Sequence, residues 1–518
     1  MNSKIILAKN IKIDKNYVNV LSYTEEQMVT LCENNMVASA NDYSFIRTNK
    51  TIMTAFSYEQ CLQANYIAFQ NKDYSNKWFF AWIDAVNYLG ENNTEIVYTI
   101  DAWSTWYDKW EAKRCFVTRE HVNDDTIGLH TINENLNVGD IIADSESIIE
   151  VQGQSFYWIV ISSLFDPNTN LKGRGIGTYA GYPQGSMWFA WLVNINNPGD
   201  DITAIADWLN LIDEKGQVNS IESIFVLPSF AISVSEIDET THKVKSANFI
   251  KESKTYQKAG YYNFSDYTPK NNKCYVYPYN FIRVSNNLGS YNDYMIEDFH
   301  TNYTGTEENT IVFELVGLPC QGFSGKLRPL FYKGIKQNDD ESVQIGKFPT
   351  LSWASDSYIN WLTQNGVNIA TSAISTIGSA LSGKYGSVAS GIAGLIGNFY
   401  QGSLQSNVAH GNVNMGDLSF KDSLYNFKLM RMRCKKEYLQ VIDDYFSRFG
   451  YQVNITKIPN LTGRQNWNYV EIGASEYIGN GSVPLNFMET INNACRRGVT
   501  IWHVHNNIGN FNLDNSIV

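Results

Sequence analysis

His503 and His505 flank Val504 in a strand-like run, so alternation places both imidazoles on one face. Two nitrogens leave a tetrahedral metal site half built, and no cysteine or acidic cluster stands beside them. The plainer reading is a pair of surface histidines on a strand, and no metal site is expected. Gly173-Arg174-Gly175-Ile176-Gly177 imitates a phosphate loop loosely, but Thr178 stands where the dinucleotide fingerprint needs glycine and no capped helix follows. A turn fits it better. Asp124-Asp125 and Asp200-Asp201 are acid pairs of the kind a glycosidase uses, yet adjacent carboxylates on a strand point apart and partners must come from elsewhere. No Ser/His/Asp or Cys/His spacing emerges. Neither a catalytic residue nor a cofactor is expected.

Lys421, Lys428, Arg431, Arg433, Lys435 and Lys436 form a basic run in which alternation gathers Arg431, Arg433 and Lys435 on one strand face. That face suits an acidic neighbour subunit or DNA; it equally suits a solvated strand edge guarded by charge. The seven cysteines (32, 61, 115, 274, 320, 434 and 495) are odd in number and never closer than 29 apart, which gives no metal knuckle and no redox pair. Free thiols in a reducing cytoplasm are expected. The first 20 residues lack the apolar core of a signal peptide, so secretion by that route is not expected.

The segment hardest to explain as ordinary core is 365–409, 45 residues in which only Lys384 is charged. Two arms of 18 or more uncharged residues flank Gly383-Lys384-Tyr385-Gly386, the length a helix needs to cross ~30 Å of hydrocarbon. Val367, Ile369, Ile374, Ile377, Leu381, Val388, Ile392, Leu395 and Ile396 are its candidate membrane-active side chains. Ser, Thr, Asn and Gly dilute them, so a buried helical hairpin or a plug is the competing reading.

Around these segments the chain reads as strands with few helices. Thr94–Ile100, Cys115–Thr118, Ser155–Ser163, Ile224–Val234, Cys274–Val284 and Thr310–Val316 are strand candidates, and Asp101–Trp106 reads as an aromatic bend. One central helix is expected, with Asp201 as N-cap, Ile202, Ile205, Leu209 and Ile212 on its face, and Gly216 at its stop. Upstream of the uncharged arms, Asp356 is placed to cap a helix carrying Ile359 and Leu362. The last hundred residues predict strand 427–434, a helix over 435–449 closed by Gly450, strands 451–456 and 467–472, a helix over 485–497 and strand 499–504. That order, β-α-β-β-α-β, is a split βαβ module.

With 518 residues the chain has room for roughly three domains at ~150 each. The hydrophobic share of 43% excludes global disorder, and 14% aromatic residues favour strands. Net charge is −12, with fourteen acids against two bases between Glu120 and Glu214. Tight nucleic-acid binding needs clustered cations, so it is not expected, though the chain can enclose DNA without gripping it.

Three stretches carry a family resemblance: Asn65–Phe79 (NYIAFQNKDYSNKWF), Phe116–Val122 (FVTREHV) and Thr131–Asn137 (TINENLN). The C-terminal part agrees at Phe449-Gly450-Tyr451, Lys457–Leu461, Gly498–His503 and Asn507–Asn510. This text resembles the tail knob proteins of small short-tailed bacteriophages with protein-primed genomes. The resemblance implies a non-enzymatic virion protein, made in the host cytoplasm and placed at the distal end of the tail. It implies a homohexameric tube through which double-stranded DNA passes without specific binding, in contact with an upper tube or collar and a tail-tip component. The family's long hydrophobic loop plugs the channel, then enters the host membrane as a pore, and 365–409 matches it in position and character. The fold expected is β-rich α+β, tail-tube-like and multi-domain: 1–140 an N-terminal tube domain, 141–350 a central β-rich domain, 351–410 the hydrophobic hairpin and 411–518 a C-terminal α+β tube domain. A receptor-binding or wall-degrading protein acting on glycans is the alternative.

Overall fold

The computed structural model describes residues 4–46, 49–72, 75–150, 156–172, 177–179, 182–194, 199–217, 220–247, 250–286, 289–300, 309–317, 325–344, 350–352, 412–414 and 426–518. The fold is β-rich with few helices. Two compact units interleave along the chain: Met1–Asp140 with Tyr267–Val276 and Lys435–Val518, and Ile141–Asp266 with Tyr277–Cys434.

The first unit carries two main sheets. Seven strands run antiparallel in the order Met36–Ala40, Ile5–Ala8, Tyr66–Asn71, Lys77–Gly90, Asn93–Ile100, Thr51–Thr54, Ser44–Ile46. Ile5, Ile6, Leu7 and Ala8 are all buried, which is why that strand reads as an unbroken apolar run. Phe69 stacks on Phe79 at 5.6 Å and meets Tyr98 edge-on at 5.5 Å. Five further strands are ordered Asn19–Leu21, Val499–Trp502, Trp467–Ile472, Cys115–Glu120, Tyr451–Lys457, with only Asn19–Leu21 parallel to its neighbour. Both ends of the chain thus share one sheet.

Local chemistry sets the helices of this unit. Glu25–Asn34 opens on a capping box of Thr24 with Gln27, and Tyr58–Gln63 on one of Ser57 with Gln60. The expected bend at 101–106 is instead a helical turn over Ala102–Trp106. Asp101 accepts the Ser104 amide at 3.1 Å, and the Trp103 indole donates to the Leu21 carbonyl at 2.9 Å. Lys436–Phe449 buries Leu439, Ile442 and Phe446 and ends at Gly450. There φ is 64°, and a Cβ would collide with the Glu120 carbonyl, so only glycine fits.

The C-terminal elements appear as expected, but their module does not. Strand Asn426–Cys434, read as the first strand of a split βαβ unit, pairs in the second unit with Ile141–Glu150 and Asn280–Ser285. In the first unit Cys115–Glu120 lies between Tyr451–Lys457 and Trp467–Ile472 instead. Strand partners are chosen by side-chain pattern and packing, not by nearness in sequence.

The second unit holds three larger sheets. The first is Ile141–Glu150, Asn426–Cys434, Asn280–Ser285, Tyr291–Tyr294. The second is Met187–Asn194, Phe156–Ser163, Ile221–Pro228, Thr350–Ser352, Asn412–Asn414. The third is Ile250–Gln257, Thr310–Gly317, Gly325–Tyr332, Ile335–Gln337, with Val343–Gln344 beside Gly325–Tyr332. Their inner faces meet in one core that includes Trp158, Phe225, Ile282, Phe313 and Leu429. On the other face of the second sheet, Ile205, Trp208, Leu209 and Ile212 of helix Gly199–Glu214 pack on Phe189, Trp191 and Ile224. That helix begins two residues before Asp201, which therefore lies in its first turn rather than at its cap. The strands expected over 224–234 and 274–284 are shorter, Ile221–Pro228 and Asn280–Ser285, with 3-10 turns over Ser229–Ala231 and Asn272–Tyr275.

Candidate functional site

The root of the uncharged segment is built from two short strands. Thr350–Ser352 pairs antiparallel with Asn412–Asn414, Ser352 opposite Asn412, and on its other side with Ile221–Pro228, Ile224 opposite Leu351. Ile224 packs toward the helix-side cluster while Phe225 packs into the main core, so the host strand is held from both faces. Ser352 and Asn412, which bracket residues 353–411 in the sequence, are therefore ladder partners, with Cα atoms ~5 Å apart as in an antiparallel pair. Val367, Ile369, Ile374, Ile377, Leu381, Val388, Ile392, Leu395 and Ile396 lie outside the described residues, as do the turn at 383–386, Asp356, Ile359 and Leu362. Among the described residues no helix is long and apolar enough to cross a membrane.

The basic run turns inward. Asn426–Cys434 is a central strand, and Arg431 and Arg433 are 5% and 1% exposed. The bulge between Ala143 and Ser145 on the neighbouring strand brings in Asp144, which forms ion pairs with Arg431 and with Arg433, the latter at 2.7 Å. Arg433 also reaches Asp266 at 2.6 Å, Ser265 donates to Asp144 at 2.7 Å, and Arg431 donates to the carbonyls of Gly260 and Asn263. Burial opposes the charge of Asp144, but the Arg433 and Ser265 hydrogen bonds and both guanidiniums outweigh it and hold its carboxyl at about 2. Neither a DNA-facing surface nor a solvated edge describes these arginines. Lys428 is half-buried and Lys435 exposed, near Glu146 at 2.8 Å and Glu437 at 3.9 Å, and Lys421 lies outside the described residues.

The remaining motifs are occupied by structural work. Asp125 accepts the Tyr451 hydroxyl at 2.6 Å and the Asn272 amide at 3.1 Å, while Asp124 caps Thr126. The two histidines are not on a strand surface. The strand stops at Trp502; His503 bonds Ser22 at 2.8 Å and Asn468 at 3.0 Å, and buried His505 accepts the Lys12 amide at 3.1 Å. Among the described residues no group of three or more His, Cys, Asp or Glu is placed to hold a metal. Gly173–Ile176 lies outside them, and so does Cys320; the other six cysteines are buried.

Sequence reasoning missed a strap. Residues Tyr267–Val276 are held in the first unit by Asp443, fully buried on the helix Lys436–Phe449. Its carboxylate accepts the Tyr267 hydroxyl at 2.6 Å, the Lys270 amide at 2.8 Å, and the amide and side chain of Asn271 at 3.0 and 2.7 Å. Lys273 and Arg119 both pair with Glu134, whose side chain is 1% exposed. The legible signal was an acid at position 443 on the apolar face that carries Leu439, Ile442 and Phe446.

A profile of the C-terminal domain of the tail knob protein gp9 of Bacillus phage phi29 matches residues 240–516, more than half of the chain. The chain belongs to this tail knob family. A second profile, of the caudoviral major tail protein N-terminus, matches residues 1–111. The tail knob protein gp9 of Bacillus phage B103 is 23% identical over 573 residues, covering 94% of this chain and 92% of the relative. That of phage phi29 is 22% identical over 564 residues, with 91% and 90% covered. The fold is that of the bacteriophage C1 tail knob protein gp12, at a TM-score of 0.63 and 14% identity over the whole of both chains. The tail knob kinship expected from Asn65–Phe79 and the C-terminal stretches is therefore correct.

Proposed function

We propose that this tail knob protein assembles six copies into a closed tube at the distal end of a phage tail, and that double-stranded DNA leaves the virion through it. The copies meet head to tail through unlike surfaces, which close when the rotation completes a circle. Other tail components join it above and at the tip, after synthesis in the host cytoplasm. The hydrophobic hairpin plugs the channel and then inserts into the host membrane. One observation supports this reading: Thr350–Ser352 and Asn412–Asn414, the strands that bracket the nearly uncharged stretch 353–411 in the sequence, pair with each other, so the two ends of that stretch are held side by side.

The charge balance supports a conduit. A lumen that must let a polyanion slide gains nothing from clustered cations, and the two best-placed arginines are spent inside on Asp144. Electron microscopy with light scattering tests the assembly. Six chains of 58.8 kDa give rings of about 353 kDa. Particles of one chain's mass at micromolar concentration would contradict the tube.

A further inference from the structure

Downstream of strand Tyr291–Tyr294, residues 296–298 turn the chain and bury Glu297, which is 6% exposed. One of its carboxyl oxygens accepts the Tyr277 amide at 3.0 Å; the other is buried without a donor. Burying a charge in that state costs far more than burying a neutral carboxyl, so the site favours the protonated acid.

The groups around Glu297 do not reverse that preference. Its own amide, the Tyr277 amide and Lys258, from the 3-10 turn Lys258–Tyr261, favour the charged form, and Asp298 opposes it. Lys333 and His300 act in turn on Asp298, and Lys333 lies 3.2 Å from Glu341. Tyr332 feels the Glu297 charge, and its hydroxyl accepts the Met295 amide at 3.1 Å. Burial prevails over all of these and pushes the carboxyl up to about 7.

The rest of the turn's hold is modest. Inside it the Asp298 and Phe299 amides reach the Met295 and Ile296 carbonyls only at 3.3 and 3.5 Å, long for hydrogen bonds. Two shorter bonds fasten it to the end of strand Gly325–Tyr332: the His300 amide to the Phe331 carbonyl at 2.8 Å, and the Lys333 amide to the Asp298 carbonyl at 2.9 Å. That partner is itself strained, with Phe331 at φ 55° and Lys333 at φ 52°, a left-handed backbone that L side chains rarely adopt. The buried Phe299 ring, 4.9 Å from Tyr332 and 5.5 Å from Phe313, is the apolar anchor.

We propose that residues 296–300 are a proton-operated latch, docked while Glu297 carries its proton and open more often once that proton leaves for solvent. The open carboxyl titrates near ~4.3 and the docked one at about 7, so opening releases a proton across that interval. The open population therefore rises about tenfold per pH unit from about pH 5 to 7 and levels off above.

Hydrogen exchange of the full-length protein tests this, read by mass spectrometry on peptides covering 295–300 and 310–317 and corrected for the intrinsic rate at each pH. The first peptide exchanges faster than the second at every pH, and its corrected rate rises about a hundredfold from pH 5 to 7. Glu297→Gln, which keeps the shape of the protonated acid, abolishes the rise, and His300→Gln leaves it. Asp298→Asn removes the opposing negative charge and moves the levelling point to lower pH. That shift decides if Glu297→Gln fails to fold by circular dichroism. A flat corrected rate, a rise that survives in Glu297→Gln or vanishes in His300→Gln, a levelling point unmoved in Asp298→Asn, or exchange of 295–300 only in step with 310–317 overturns the latch.

Discussion

Two buried carboxylates of the second unit respond to acid in opposite directions. Glu297 is 6% exposed; one oxygen accepts the Tyr277 amide at 3.0 Å and the other has no partner. Burial, with the neighbouring charge of Asp298 and against that of Lys258, pushes its carboxyl up to about 7. The folded unit then binds a proton that the unfolded chain, titrating near ~4.3, does not, so stability grows as pH falls from 7 towards that value, by up to about 3 kcal/mol. Urea melts across that range should show the gain, and Glu297→Gln should flatten it. Asp144 works the other way: its folded pKa of about 2 lies below the unfolded ~3.9, so its contribution is complete above ~3.9 and is lost as pH falls towards 2. Asp144→Ala should cost about 3–5 kcal/mol by leaving the buried Arg431 guanidinium without its carboxylate. No loss in denaturant midpoint would refute the pairing. Alternation correctly put Arg431 and Arg433 on one face. Whether that face was inside or outside was not readable, because Asp144 lies nearly three hundred residues away and reaches them through a bulge.

At the scale of elements, the legible parts were those whose signal is local. Helix Lys436–Phe449 follows from its spacing and its closing glycine, and Trp467–Ile472 and Leu485–Arg497 lie where their patterns put them. Strand pairing was not legible. Asn426–Cys434 left its sequence neighbours for Ile141–Glu150 and Asn280–Ser285, since periodicity gives a strand's faces but not its partner. The strap Tyr267–Val276 was hidden for a related reason: it has little regular structure, and its hold is the row of donors on Asp443. Asp443→Ala strips the acceptor from those buried donors and should cost on the order of 3 kcal/mol. Hydrogen exchange should report it locally, with protection lost at Lys270 and Asn271 well before the strands of the same unit. Uniform loss across the unit would mean the strap is not a separate element.

For the whole molecule, the sequence carried the family. The two units interleave because chain segments far apart complete each other's sheets, as Asn19–Leu21 does beside Val499–Trp502. Reduction should leave the melting temperature unchanged, because the six described cysteines are buried without disulfides; a drop of several degrees would contradict this. The central claim concerns the uncharged segment. Its two ends are already hydrogen-bonded neighbours, so a short Gly/Ser bridge in place of 365–403 asks little of the sheet. On the proposed function, small residues would let its arms pack closely against symmetry mates, and its Ile and Leu side chains would gain ~25 cal/mol per Å2 on entering lipid. The most direct test is dye release from liposomes by the intact chain and by the 365–403 deletion, both first shown to form rings. The intact protein should permeabilise the vesicles and the deletion should not; equal leakage from both, or none from the intact chain at any pH, would contradict a pore and leave the segment only a plug.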